Sequence, residues 1–166
     1  RKHSLKAAPA NTFPLATLAI GFTVAGFFIR YFLTIPYQFG MTDFTLPGSL
    51  GALQSLLVLG IALTGFLSVR SGGKWRIFFW VILIPNLFVA VLQFSKSEAI
   101  INLILPGLGC FMAHQNIRRL FKWVIVAAVL YFSMQPMVLA ARSHIYQQTG
   151  TIYRATLPER FQIVKR

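Results

Sequence analysis

Long apolar runs alternate with short polar connections along most of the chain. The first run, 12–34, reads TFPLATLAIGFTVAGFFIRYFLT, enough to cross about 30 Å of hydrocarbon at about 1.5 Å per helical residue. A cleavable signal peptide would have a shorter apolar core, so an uncleaved span is expected. The second run, 49–69, follows Pro47 and Gly48 and carries Gly51, Gly60 and Gly65, small residues that let helices approach closely in lipid. It stops at the basic turn RSGGKWR. The third run, 77–94, contains Pro85, and the fourth, 99–113, contains LPGLG around Pro106. Both are short. A proline at mid-membrane frees a carbonyl that lipid cannot satisfy, so each is expected either as a break facing protein or water, or as a packing kink. The fifth run, 121–141, has Pro136 near its far end.

This pattern predicts an all-α polytopic integral membrane helical bundle of about five transmembrane helices, two of them short and proline-broken. Residues 1–11 precede the bundle at 12–141, and the polar stretch 142–166 has no run long enough to span. That stretch reads as a tail or the start of a long outer loop. The first residue is Arg1 rather than methionine, and a piece of a longer chain is expected. There is no repeat of the lengths that build solenoids and no heptad array.

Composition agrees: 56% of residues are hydrophobic and 11% charged, far from the soluble average. The net charge of +13 comes from 16 Lys/Arg against Asp43, Glu98 and Glu159. On a soluble domain this would suggest nucleic acid. Here the cations punctuate apolar runs, which argues for membrane lipid as partner and against nucleic acid. Arg1, Lys2, Lys6, Arg70, Lys74, Arg76, Arg118, Arg119 and Lys122 fall on one face, whereas the opposite connections hold only Lys96 before the tail begins. The positive-inside rule then puts the amino terminus in the cytoplasm and Arg142 onward outside, since long translocated loops largely escape the rule. The lone Cys110 offers neither a disulfide framework nor a metal pattern, so no metal and no cofactor is expected.

This orientation gathers rare charges at the outer interface. In FSKSEAI, Lys96 and Glu98 lie there with Asp43, Arg142 and His144, and Arg30 joins them from inside the first span. An ionisable residue within a span is a functional-site hypothesis by default. Arg30, Lys96, Arg142, Arg154 and Arg160 form a basic set suited to a diphosphate, because guanidinium groups grip phosphate oxygens in bidentate fashion and lysine adds a point charge. The bland alternatives stand beside this one. Arg30 and Arg142 also fit snorkelling to headgroups, and Lys96 fits pairing with Glu98 or a lipid phosphate. Asp43 and His144 are the weak nominees for a general base; helix capping or solvation better explains Asp43, and a solvated or hydrogen-bonded surface position His144. No nucleophile elbow, zinc-protease helix, phosphate loop or dinucleotide fingerprint occurs.

The order of features, TLPGSLGALQ, then RSGGKWR, then FSKSEAI opening a span and NIRRLFK closing it, resembles the middle of bacterial O-antigen and exopolysaccharide polymerases and the related O-antigen ligases. Members tend to carry a Ser-Arg or Ser-Lys step at the start of a span, here Ser95, Lys96 and Ser97, followed by a long periplasmic loop with arginines, here beginning at Arg142. The resemblance implies a bacterial inner-membrane glycosyltransferase. It would join oligosaccharide repeats carried on polyprenyl diphosphate, without a nucleotide sugar or an obligatory metal. Family members have many more spans, so the resemblance covers one part of such an enzyme. Two other readings remain: a non-catalytic structural or assembly subunit bound to other membrane subunits, and a transporter fragment lined around Pro85 and Pro106.

Overall fold

The computed structural model describes residues 13–39, 41–42, 46–93 and 95–149; the side chains of 141, 142 and 144–149 lie outside that description. Five helices follow one another: α1 Phe13–Gln38, α2 Gly48–Arg70, α3 Gly73–Leu92, α4 Lys96–His114 and α5 Ile117–Thr149. Each has the length and apolar character needed to cross a membrane. The chain is an all-α polytopic bundle, with no strand among the described residues. The helices alternate in direction, so the bundle has two ends. One carries the tight turns at Ser71–Gly72 and Gln115–Asn116; the other carries Gln38, Gln93 and the start of α4.

Local chemistry places the turns. Gly72 and Gly73 have φ of 63° and 48°, left-handed backbone that glycine adopts with little penalty. Gln115 closes α4 in the same region, and the Asn116 side chain accepts from the Arg118 N–H at 3.1 Å, capping α5.

In lipid the hydrophobic effect does not press helix against helix, so association rests on close packing and interhelical polar contacts. The central helix α2 lies against α1, α3 and α4, and α4 carries α5. Close approach at two crossings requires glycine. A Cβ on Gly26 or Gly60 would collide with Leu57 or Thr23 across the α1–α2 contact, and one on Gly109 would strike the Ala62 carbonyl across α2–α4. Leu57, Ile61, Phe79, Leu83 and Cys110 of α2, α3 and α4 form one buried cluster, and Ala90, Ala99, Met134 and Val138 of α3, α4 and α5 a second. Cys110 is a free, buried thiol. Phe28, Phe32, Phe88 and Phe132 point outward, as befits side chains facing acyl chains.

The helices outrun the apolar runs in three places. α3 and α4 each pass through their proline as one continuous helix, with Pro85 and Pro106 inside. A proline removes one N–H from the helical ladder, which bends a helix without dividing it. Pro106 is buried, its carbonyl packed against Gly65 of α2. Both helices also begin earlier than their hydrophobic stretch, at Gly73 and Lys96. α5 continues through Arg142 and His144 to Thr149, a stretch with no glycine or further proline after Pro136.

Candidate functional site

A network of charged and amide side chains joins the helices at the Gln38–Lys96 end of the bundle. Arg30 reaches it through a π-helical turn, Ile29–Thr34, within α1. Pro36 follows that turn. Its ring crowds the carbonyl four residues back and it lacks an N–H, and the wider π turn absorbs both defects. The Ile35 N–H bonds to the Arg30 carbonyl and the Thr34 hydroxyl donates to the Ile29 carbonyl at 3.2 Å. Such turns are rare and frequent at functional positions. The result aims Arg30 inward, where only 1% of it is exposed.

A buried guanidinium must be neutralised and bonded. Arg30 Nη2 donates to Glu98 Oε2 at 2.7 Å and to Gln93 Oε1 at 3.1 Å, and Gln93 Nε2 in turn donates to Gln38 Oε1 at 2.6 Å. Gln38, Gln93, Arg30 and Glu98 therefore tie α1, the α3–α4 turn and α4 together. Arg30 Nε is buried without a protein partner.

Glu98 is positioned by its helix start. Ser95 is the N-cap of α4, and its hydroxyl accepts from the Glu98 N–H at 3.3 Å. A serine followed three residues later by glutamate is the capping-box spacing, and the carboxylate also complements the positive end of the helix dipole. Here the glutamate side chain crosses to Arg30. Lys96, two residues earlier, lies on the other side of α4 and cannot share that carboxylate. Its Nζ donates to Gln135 Oε1 of α5 at 3.0 Å and sits 5.4 Å from the centre of the Tyr131 ring. An ammonium has three donors, so two remain for an anion. Deeper between α3 and α4, Asn86 Nδ2 donates to Asn102 Oδ1 at 2.7 Å, with both residues buried.

Of the basic set expected from sequence, Arg30 and Lys96 share this end of the bundle but hold different partners. Arg142 and His144 fall on the final turns of α5, their side chains outside the description. Asp43, Arg154 and Arg160 lie outside the described residues altogether. The polar partners Gln38, Gln93, Gln135, Tyr131, Asn86 and Asn102 escaped the sequence reading. Two signals pointed to part of this: the capping-box spacing from Ser95 to Glu98, and amides embedded in apolar runs, which are buried only with partners. Among the described residues, no group of three His, Cys, Asp or Glu is arranged to hold a metal ion.

No family model matches the chain, and neither a curated protein nor a solved structure does.

Proposed function

We propose that the chain is part of a membrane glycosyltransferase of the O-antigen polymerase type, in the bacterial inner membrane with its amino terminus cytoplasmic. In this reading it joins polyprenyl-diphosphate-linked oligosaccharide repeats on the outer face. The observation that carries the reading is Lys96. It opens α4 in the Ser95-Lys96-Ser97 step, at the end of the bundle where Arg30 and Glu98 meet, and keeps two donors beyond its bond to Gln135. The charge pattern supports the orientation, because the turns at the other end carry Arg70, Lys74, Arg76, Arg118, Arg119 and Lys122.

The chemistry follows from that placement. An acceptor hydroxyl attacks the anomeric carbon, its proton passes to a base, and the bond from that carbon to the diphosphate oxygen breaks. Negative charge grows on the leaving diphosphate, and a cation already in place stabilises it without reorganisation. Lys96, joined by Arg142, Arg154 and Arg160 from the following segment, supplies such cations. Asp43 or His144 supplies the base. Arg30, closed off by Glu98 and Gln93, positions the start of α4 rather than touching the lipid carrier.

One observation favours a second reading, a structural subunit of a larger membrane assembly: the most buried cation at this end is held by Glu98 and Gln93 of the bundle itself. Elongation of a polyprenyl-diphosphate oligosaccharide by the full protein in proteoliposomes separates the two. With the polymerase reading, Lys96→Gln lowers elongation at least about tenfold, as loss of one transition-state charge contact does, while Lys96→Arg retains most of it and both variants fold. Elongation indifferent to Lys96→Gln sinks the polymerase reading and leaves the subunit.

A further inference from the structure

The opposite end of the bundle holds a cavity of about 260 Å³ that the proposed chemistry does not use. Four helices build it. Ser68 and Val69 come from α2, Arg76, Phe79 and Trp80 from α3, Cys110 and His114 from α4, and Arg119 and Trp123 from α5. Its floor is apolar or already satisfied, since the Ser68 hydroxyl and the Cys110 thiol both turn to the Gly65 carbonyl. Its aromatic wall is ordered: Trp80 and Trp123 stack with centroids 6.3 Å apart and planes 18° from parallel, and Phe79 meets Trp123 edge-on at 6.4 Å. Its rim carries the guanidinium groups of Arg76 and Arg119 beside His114. All three residues are exposed, and among the described residues the only salt bridge is Arg30–Glu98 at the far end.

The cations are also poorly placed for the helix that bears them. Arg118 and Arg119 stand in the first turn of α5, with no acidic residue there, where the helix dipole is positive and repels them. Of these two only Arg119 lines the cavity, and an anion at its mouth relieves the repulsion there while meeting the open donors of Arg119 and of Arg76 from α3. We infer that this cavity binds the headgroup of an anionic phospholipid, with the phosphodiester between Arg76 and Arg119 and the glycerol end against Trp80 and Trp123. Three features select a lipid over a soluble anion. The site lies at the termini of spanning helices, it is walled by the tryptophans that favour the membrane–water interface, and basic pockets between transmembrane helices take such headgroups. The inference does not depend on the polymerase reading.

The test uses the full protein in phosphatidylcholine bilayers doped with brominated phosphatidylglycerol or brominated phosphatidylcholine, with quenching of tryptophan fluorescence as the readout. Each basic side chain near an anionic headgroup contributes about fivefold in affinity, so the wild-type preference for the glycerol lipid should be about 30-fold at low salt. Arg76→Gln with Arg119→Gln should bring the preference close to unity. Lys74→Gln with Arg118→Gln removes the same charge from the same end but outside the cavity, and should preserve most of it. Equal loss in the two double variants would mean diffuse surface attraction and overturn the site. Abolition of the preference by millimolar inorganic phosphate would overturn the lipid assignment in favour of a soluble anion.

Discussion

The Arg30–Glu98 pair makes an asymmetric prediction. The two side chains are not equally buried: 2% of the Arg30 side chain is accessible against 24% of Glu98. Glu98→Leu leaves a sealed guanidinium with Gln93 as its one side-chain acceptor and an Nε that already lacks a protein partner. Removing one member of a buried pair in this way costs about 3–5 kcal/mol. Arg30→Met leaves a carboxylate that reaches the surface and can be hydrated, so the loss should be smaller, about 1–3 kcal/mol. Arg30→Met with Glu98→Leu removes both charges, and an apolar pair in a buried ion-pair site is often neutral or better. The double variant should therefore recover most of what Glu98→Leu loses. Reversible unfolding of the four proteins in one lipid environment closes the cycle. Equal losses in the two single variants, or strictly additive losses in the double, would refute the view that Arg30 is a trapped charge neutralised by Glu98.

The remaining predictions concern packing and buried amides. Gly109→Ala should destabilise by about 1–3 kcal/mol, because its new methyl meets the Ala62 carbonyl, whereas Gly21→Ala, with nothing within 4 Å of the added carbon, should be neutral or slightly stabilising; thermal unfolding of both in the same detergent checks this. Asn102→Leu should cost about 0.6–1.7 kcal/mol, the range for interhelical hydrogen bonds in membranes, since it strands the Asn86 amide. Adding Asn86→Leu should return part of that loss, read as the midpoint of the same unfolding transition.

The helical class and the presence of five helices long and apolar enough to span a membrane were legible along the chain, because apolar length is a local property that lipid enforces on any segment. The helix ends were less so: α3 and α4 begin at Gly73 and Lys96, and α5 runs on to Thr149. The run 49–69 and the turn RSGGKWR sit where the pattern put them, with Gly72 and Gly73 making the left-handed turn. Tertiary structure decided the rest. Glu98 is two residues from Lys96 and 68 from Arg30, yet it binds Arg30, because helical geometry turns Lys96 away and the π turn before Pro36 swings Arg30 inward. The pairing of Asn86 with Asn102, the passage of α4 through Pro106 against Gly65, and the meeting of Arg76 with Arg119 at one cavity likewise depend on which helix faces lie together. Hydrophobicity specifies that a segment crosses the membrane, but in a solvent as apolar as the side chains themselves it does not specify which face turns inward. Small-residue contacts and buried polar partners make that choice, and they exist only once the helices have met.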